Sequence, residues 1–263
     1  RYLTPLVLLL LAMLFVAGCA SNTSDTEDTS TNDSTDTTDS NDSSDESATD
    51  SESDDSRTLT IGLSLDMSSF DIHDHNSTST EAIHGNMFNY LIKKDPDGNF
   101  YEDLVESYEN VDDYTWAFKL KEGVTFHNGD ELTSADVKFT LERVANDESL
   151  REYSHYRQIK EVEIIDDYHF NIITHDPEPI LLNRLSRIGS GILPKNYIEE
   201  HGWEYFYETP IGTGAFKFVE WARDSHIVFE AYEDYFEGRV EDWDRLVFRV
   251  IPEDSTRVAE LLT

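Results

Sequence analysis

Two histidines in a short acidic stretch are the first residues whose type and spacing suggest chemistry. His73 and His75 are separated by one residue, and Asp71 and Asp74 lie beside them. Imidazole nitrogens bind transition metals such as zinc, copper and nickel. Two ligands on one short loop are too few to define a metal site, and a polar surface loop is the better interpretation. We therefore predict no resident metal and no other cofactor.

The residue patterns of common catalytic sites are missing from the sequence. There is no glycine-rich phosphate loop that ends in Lys-Ser or Lys-Thr, and no His-Glu-x-x-His pair. Gly189-Ser190-Gly191 lacks the spacing of a nucleophile elbow. Carboxylates are so numerous that a pair of them says nothing about glycosidase chemistry. We predict a protein that is not an enzyme and has no catalytic residues, and a cell-surface hydrolase or adhesion domain is the alternative from a different class.

The composition excludes further classes of protein. The 263 residues include 55 acidic and 20 basic side chains, which gives a formal net charge of -35. A surface of that charge repels a phosphate backbone, so we expect no nucleic acid partner. The single cysteine can form neither an internal disulfide nor a cysteine-rich metal cluster.

That cysteine follows an apolar segment. Residues 6–16 read LVLLLLAMLFV and precede Ala17-Gly18-Cys19. The run is too short to cross a bilayer as a helix, but it suits the core of a secretory signal. The ending resembles the lipobox of bacterial lipoproteins, which implies cleavage before Cys19 and lipidation of its sulfur. We expect residues 1–19 to be a signal peptide and the protein to be lipid-anchored on the extracellular or periplasmic face of the cell membrane. A buried cysteine beside a core helix is the alternative.

Residues 20–56 have the composition of a disordered spacer. They are mostly Ser, Thr, Asp, Asn and Glu, with thirteen acidic side chains and no basic or aromatic one. Such a segment cannot bury enough apolar surface to offset the entropy lost on ordering, and its like charges keep it extended. We expect a tether between the anchor and a folded module. Cation binding by the aspartates is the alternative, although no fixed ligand spacing supports it.

From Arg57 onward the pattern predicts a folded region of mixed α/β type. Thr133 and Asp136 have the spacing of a helix capping box, and the apolar residues that follow lie on one helical face. A second helix is predicted over 197–207, and the stretch 95–99 is predicted to be a turn rather than a calcium loop. Apolar residues alternate with polar or small ones, as in half-buried strands, at 59–65, 114–120, 168–172 and 246–250.

Four segments of the folded region together resemble one family of transport proteins. Their order and spacing are more specific than any one of them alone. One departure is Asp234, where the family usually has Asn. The segments are VTFHNGDELTSADVKFTLER at 124–143, PIGTGAFKFVEW at 210–221, YEDYFEG at 232–238, and FRVIPE at 248–253 with RVAELL at 257–262.

These segments are similar to those of the extracellular solute-binding proteins, family 5, that serve oligopeptide, dipeptide and nickel ABC importers. The resemblance implies an α/β periplasmic-binding-protein-like fold with two lobes that close on a ligand (type II, Venus-flytrap). It implies a discontinuous lobe I over 57–86 and 187–263, with an inserted domain II at 87–186. Relatives continue beyond the position of Thr263 with a ligand-closing C-terminal lobe, so we expect this sequence to be a fragment that lacks that lobe.

The function implied by the resemblance is that of a cell-surface receptor. It would bind extracellular oligopeptides as a monomer and deliver them to the permease subunits of an ABC transporter, without chemistry of its own. Dipeptides, nickel chelates and sugars are alternative cargos within the family.

Candidate ligand contacts follow from how extended peptides are recognised. Main-chain hydrogen bonds supply most of the affinity, so loops at strand ends must offer small residues and free backbone groups. Two loops after the first strand and a glycine-flanked turn near the hinge meet this requirement, and either Tyr153 or Tyr156 would supply a ring. The predicted ligand-binding residues are Met67, Ser68, Ser69, Phe70, Asn76, Ser77, Thr78, Tyr153, Gly212, Thr213 and Gly214.

The folded region is itself strongly acidic. From Arg57 onward there are 42 acidic and 19 basic side chains. Such a surface suits a protein kept soluble at high salt, where screening weakens self-repulsion. We therefore expect a halophilic or an alkaline environment.

Overall fold

The computed structural model describes residues 57–75 and 77–262. The predicted signal, Cys19, the tether and Asn76 lie outside these residues. The described part is mixed α/β, as predicted. None of its helices is long and apolar enough to cross a membrane.

Ten strands, seven α-helices and a short 3-10 helix (Ile188–Ser190) make up the regular structure of the described residues. The strands are β1 (Thr58–Leu63), β2 (Ile92–Lys94), β3 (Phe100–Glu102), β4 (Val105–Asn110), β5 (Thr115–Leu120), β6 (Ile159–Ile164), β7 (His169–Thr174), β8 (Phe216–Ala222), β9 (His226–Ala231) and β10 (Arg245–Val250). The helices are α1 (Thr78–His84), α2 (Ser134–Asn146), α3 (Tyr153–Tyr156), α4 (Leu181–Leu185), α5 (Lys195–His201), α6 (Trp203–Glu208) and α7 (Asp254–Leu261).

The first sheet combines the start and the end of the described region. Its strand order is β1-β10-β9-β8, and only the pair β1 and β10 is parallel. In that pair Ile61 lies opposite Phe248. The segments that follow β1 and β10 remain side by side, because the Ile251 amide donates to the Leu63 carbonyl at 2.7 Å. Ligands of open α/β sheets bind at the carboxyl ends of their strands, so this edge of the first sheet is a candidate ligand-binding region.

The second sheet is antiparallel and lies entirely within residues 105–174. Its order is β4-β5-β7-β6, and a small hairpin of β2 and β3 precedes it. Helix α2 packs on this sheet through Val137, Leu141 and Val144, which are fully buried. The predicted cap of α2 is confirmed, since the Asp136 carboxylate accepts hydrogen bonds from the amide and hydroxyl of Thr133, both at 3.0 Å.

Each sheet has its own hydrophobic core. One core contains α2 and the second sheet, and the other contains the first sheet with residues 67–88. Ile188 belongs to one core and Ile192 to the other, so the chain passes between them there. The domain limits that the resemblance implies remain a prediction.

Two local predictions have different outcomes. The turn at 95–99 is confirmed, because the Gly98 amide donates to Asp95 O and the Asp95 amide donates to Asn99 O, both at 3.0 Å. The single helix expected over 197–207 is wrong. Gly202 has a φ of 87°, a left-handed conformation that ends α5 and begins α6 in a new direction.

Candidate ligand-binding site

The loop that follows β1 and the turn between β8 and β9 meet at the carboxyl edge of the first sheet. We call residues 64–75 the edge loop. The Asp66 carboxylate accepts from the Trp221 indole N–H at 3.1 Å and from the Asp224 amide at 2.8 Å. The Val250 amide donates to Ser225 O at 2.8 Å, which ties the turn to the end of β10. The edge loop is therefore held against the sheet by polar contacts.

Apolar anchors fasten the same loop to the core. Met67 is 3% exposed and Phe70 is fully buried. The Phe70 ring lies edge-on to Phe218 and Trp221, with centroids 5.0 and 5.5 Å apart. Met67 and Phe70 therefore act as anchors, and their side chains have no surface to offer a ligand in this structure. Ser68 between them is exposed.

A buried ion pair joins the edge loop to α2. Arg143 donates from Nη1 and Nη2 to the two Asp71 carboxylate oxygens at 2.8 and 2.7 Å. The Tyr207 hydroxyl donates to the same carboxylate at 2.8 Å, and the guanidinium stacks 3.9 Å from the Trp203 ring centre. Burial opposes ionisation of Asp71, but the hydrogen bonds and charge of Arg143 outweigh it and lower the Asp71 pKa to about 2.

His73 uses both of its ring nitrogens within this network. Arg143 can only donate, so His73 Nδ1 accepts from it at 2.7 Å, and Nε2–H donates to Gly189 O at 3.0 Å. Burial and the nearby guanidinium lower the His73 pKa to about 3, so the ring is neutral. His73 is fully buried and His75 is 3% exposed. The prediction of a polar surface loop is wrong here.

No group of three or more metal-ligating side chains is found in residues 57–75 and 77–262. Neither nitrogen of His73 is free to coordinate an ion, because each is engaged in a hydrogen bond. Among the described residues, the pair that first suggested metal chemistry instead contributes to packing.

The other predicted contacts near α1 and α3 differ in exposure. Ser77 caps α1, where its hydroxyl accepts from the Thr80 amide, and Thr78 is exposed. Tyr153 is half-buried and donates to Glu148 at 3.3 Å. Tyr156 is fully buried and donates to Arg184 O at 2.9 Å, so Tyr153 is the tyrosine that offers surface.

The glycine-flanked turn packs against the chain itself. A Cβ added to Gly212 would lie 2.1 Å from Met87 O, and one added to Gly214 would lie 2.5 Å from Met87 C. Thr213 is fully buried and donates to Asn89 Oδ1 at 3.3 Å. The backbone at these two glycines approaches Met87 too closely for a side chain, which accounts for glycine at both positions without a ligand contact.

Three of the four family-like segments meet at this turn. His127 Nδ1 accepts from the Gly212 amide at 3.2 Å, and Nε2–H donates to Gly214 O at 2.9 Å. The Tyr232 hydroxyl donates to Phe126 O at 3.0 Å, and its ring lies edge-on to His127. These residues of the family-like segments make hydrogen bonds and ring contacts with one another. The segments therefore stabilise the fold, and their residues at this turn show no direct role in binding a ligand.

A groove lies beside the edge loop, between the end of α6 and β8. Its volume is about 390 Å³, and Tyr207, Phe218, Trp221 and Arg223 line much of it. The Arg223 guanidinium stacks on the Trp221 ring, and its Nη1 lies 3.5 Å from Ser68 O. The exposed part of the edge loop therefore borders a cavity that contains aromatic and charged groups, which suits a small polar solute or a peptide.

Sequence reasoning missed Asp71, Arg143 and Tyr207. Asp71 and Arg143 are 72 positions apart, and neither periodicity nor a motif connects them. The signal available for the apolar anchors is that Met67 and Phe70 are large apolar residues in a loop of mostly polar ones.

Comparison with known proteins decides the family. The profile of the bacterial extracellular solute-binding proteins, family 5 Middle, matches residues 99–263. The chain belongs to this family. The family-5 resemblance of the sequence is thereby confirmed, and so is the fold class, because solved periplasmic binding proteins superpose on the described region.

Among solved structures, NikZ from Campylobacter jejuni in complex with Ni(L-His) is 30% identical with a TM-score of 0.71, over 78% of this chain and 41% of NikZ. The oligopeptide-binding protein AppA from Bacillus subtilis, in complex with a nonapeptide, is 30% identical with a TM-score of 0.71, over 78% and 42% of the two chains. The glutathione-binding protein GsiB of Escherichia coli (strain K12) is 26% identical over 211 residues, covering 79% of this chain. The family-5 chain spans 41% of the length of GsiB.

Proposed function

We propose that this family-5 chain is part of a cell-surface receptor that binds extracellular oligopeptides and delivers them to an ABC transporter permease. The observation that carries the proposal is the family match to residues 99–263. Membership supports solute capture for import and gives no support to catalysis. The chain would supply lobe I and the inserted domain, and a further lobe would close over the ligand.

The oligopeptide cargo rests on the likeness to AppA, whose structure contains a nonapeptide. The edge loop supports it, because Ser68 is exposed and its neighbours are anchored on both sides. The Ser68 amide donates to Thr80 Oγ1 at 3.3 Å and the Ser68 carbonyl accepts from Arg223, so the loop would offer a peptide the exposed Ser68 side chain and the groove beside it. Ser69, Ser77, Thr78 and Tyr153, all at least partly exposed, are further proposed contacts.

Chelated nickel is the second candidate cargo, and the likeness to NikZ favours it equally by identity. In the described residues, however, no cluster of three or more metal ligands is available to grip an ion directly. Dipeptides and sugars remain further family cargos, and a cell-surface hydrolase or adhesion domain remains the proposal of a different class.

Calorimetric titration of the full-length protein tests the cargo. The probes are a mixture of short peptides, glutathione, and nickel with two equivalents of histidine. A heat signal with peptides alone would support the proposal, and a heat signal with nickel–histidine alone would support the second candidate. No heat signal with any of the three probes would overturn peptide binding.

A bulky substitution then tests where the ligand lies. Ser68→Trp should weaken peptide binding at least tenfold by filling the space beside the edge loop. Ser107→Trp is the matched control, because Ser107 is exposed on β4 in the second sheet. Equal affinities of the two variants would exclude the edge loop as the contact surface.

Lipid anchoring through Cys19 is a further part of the proposal. Its support is the apolar run at 6–16 followed by Ala17-Gly18-Cys19. In bacterial cells that make the full-length protein, Cys19→Ser should abolish labelling by a radioactive fatty acid and release the protein from the membrane fraction. A Cys19→Ser protein that stays with the membrane would refute the lipid anchor. The proposed mature receptor is a monomer, which sedimentation at increasing concentration would check.

A further inference from the structure

Two buried histidines lie against each other under the edge loop. His84 is fully buried and His75 is 3% exposed. Their rings are edge-to-face, with centroids 4.9 Å apart. His84 also stacks on Phe70 at 5.7 Å and meets the edge of Phe88 at 5.6 Å. The pair therefore lies in a largely aromatic cage.

Hydrogen bonding in this cage is incomplete. His84 Nε2–H donates to Ser69 O at 2.8 Å, so Nδ1 carries a lone pair. This Nδ1 atom and both ring nitrogens of His75 are buried without a hydrogen-bond partner among the described residues. Buried polar atoms usually have a hydrogen-bond partner, so three unpartnered ring nitrogens in one cage are unusual.

Among the described residues, neither histidine ring is hydrogen-bonded to a carboxylate. The carboxylates that act on the pair are Asp71 and Asp74. Asp71 is occupied by Arg143 and Tyr207, and Asp74 is exposed and faces Arg151 at 3.4 Å. Helix α1 contributes His84 to the cage, and Phe70 and Phe88 contribute aromatic rings.

We propose that His75 and His84 are positioning residues that hold the edge loop in its binding conformation only while both rings are uncharged. His84 holds Ser69 directly, and Ser69 adjoins the exposed Ser68. A proton on either ring would bury a charge beside a second imidazole and leave at least one N–H of the charged ring without an acceptor. Acidification therefore releases the edge loop and weakens solute binding, and this last step rests on the proposed function.

Proton linkage sets the size of the effect. Burial, aided by the neighbouring His75, lowers the His84 pKa from 6.5 to about 3, and burial also lowers the pKa of His75. When the loop opens, each ring regains an ordinary pKa and takes up a proton below that value. Each pH unit below about 6.5 then favours opening about tenfold for each histidine released, down to the pKa of the closed form.

Hydrogen exchange of the full-length protein without ligand tests the loop itself. Between about pH 7.5 and about pH 5.5, exchange of the amides at 66–75, corrected for the intrinsic rate, should rise at least about tenfold. His84→Gln should reduce this rise, since glutamine can still donate to Ser69 O but does not titrate. His75→Gln should do the same and removes no hydrogen bond. His169→Gln is the control, because His169 is exposed at the start of β7.

The outcomes separate this inference from the proposed function. An equal rise in the wild type and both cage variants would overturn the role of the histidines, whether or not any ligand binds. Absence of peptide binding at about pH 7.5 counts against the proposed function alone. If peptides bind, the wild-type Kd should rise on acidification more steeply than that of His84→Gln, and parallel curves would overturn the link to binding.

Discussion

Arg143 and Asp71 form a two-pronged hydrogen-bonded ion pair, with N···O distances of 2.8 and 2.7 Å, between the middle of α2 and the edge loop. The side chains are 17% and 8% exposed, so the pair is largely out of water. Because α2 belongs to one hydrophobic core and the edge loop to the other, this contact links the two halves of the described structure.

Removal of the arginine should strongly destabilise the protein. Arg143→Met leaves the Asp71 carboxylate buried without its cation, which typically costs about 3–5 kcal/mol. Urea unfolding followed by tryptophan fluorescence measures the loss. Lys195→Met is the control, since Lys195 forms an exposed i, i+4 pair with Glu199 and should change little. Similar losses of stability in the two variants would show that the buried ion pair contributes no more than an exposed one.

The loss of folding stability at acidic pH should depend in part on Asp71. Its pKa is about 2 when folded and near 3.8 otherwise, so its contribution is present above about pH 4 and lost as the pH falls toward 2. The difference corresponds to roughly 2 kcal/mol. In Asp71→Asn the stability curve should be flatter over that window than in the wild type. Parallel curves for the two proteins would refute a depressed pKa at this residue.

Gly214 should tolerate no side chain. In Gly214→Ala the new Cβ would lie 2.5 Å from the Met87 carbonyl carbon, which is backbone and cannot rotate away. We expect a loss of more than about 2 kcal/mol, measured by thermal and urea unfolding. Gly62→Ala is the matched control, because its Cβ would meet the Arg257 side chain at an ordinary 3.5 Å. A stable Gly214→Ala protein with unchanged secondary structure would contradict the packing.

The strands and α2 were predictable because their signals are local. Alternation at 59–65 and the cap at Thr133 are read from neighbouring residues, and the structure places β1 and α2 there. The partners of Asp71 and Gly214 lie far along the chain, at Arg143 and Met87, so no local pattern reveals them. The resemblance to the family correctly identified the fold. The roles of the side chains in the edge loop depend on which of them are buried, and the sequence does not show that.

His127 should make the protein sensitive to mild acid. Burial is the main cause of a His127 pKa of about 4, against an ordinary 6.5. The unfolded chain therefore takes up a proton that the folded chain refuses, and stability falls from about pH 6.5 down to about pH 4. The slope for one histidine is up to about 1.4 kcal/mol per pH unit. Urea unfolding at each pH measures it.

A glutamine at position 127 separates this effect from other acid effects. His127→Gln can still donate to Gly214 O but does not titrate, so its stability should fall less steeply with acid. His175→Gln, which removes an exposed histidine just after β7, is the control. A slope in His127→Gln as steep as in the wild type would locate the proton uptake elsewhere.

Repulsion among surface carboxylates should make stability depend on salt. The region from Arg57 onward has 42 acidic and 19 basic side chains, and the Debye length falls from about 10 Å at 0.1 M salt to about 3 Å at 1 M. Glu161 and Glu163 lie two residues apart on β6, both exposed, so they share one side of the strand. Glu161→Gln removes one of these like charges. It should raise the free energy of unfolding at low salt, and the gain should shrink as sodium chloride approaches about 1 M.

Sucrose distinguishes screening from a general solvent effect in this experiment. It is excluded from protein surfaces but screens no charge, so it should stabilise the wild type and Glu161→Gln equally. Sodium chloride should stabilise the wild type more than the variant, because only the wild type retains the repulsion to be screened. A wild-type stability that does not change with salt would remove the physical basis for a surface adapted to a salty environment.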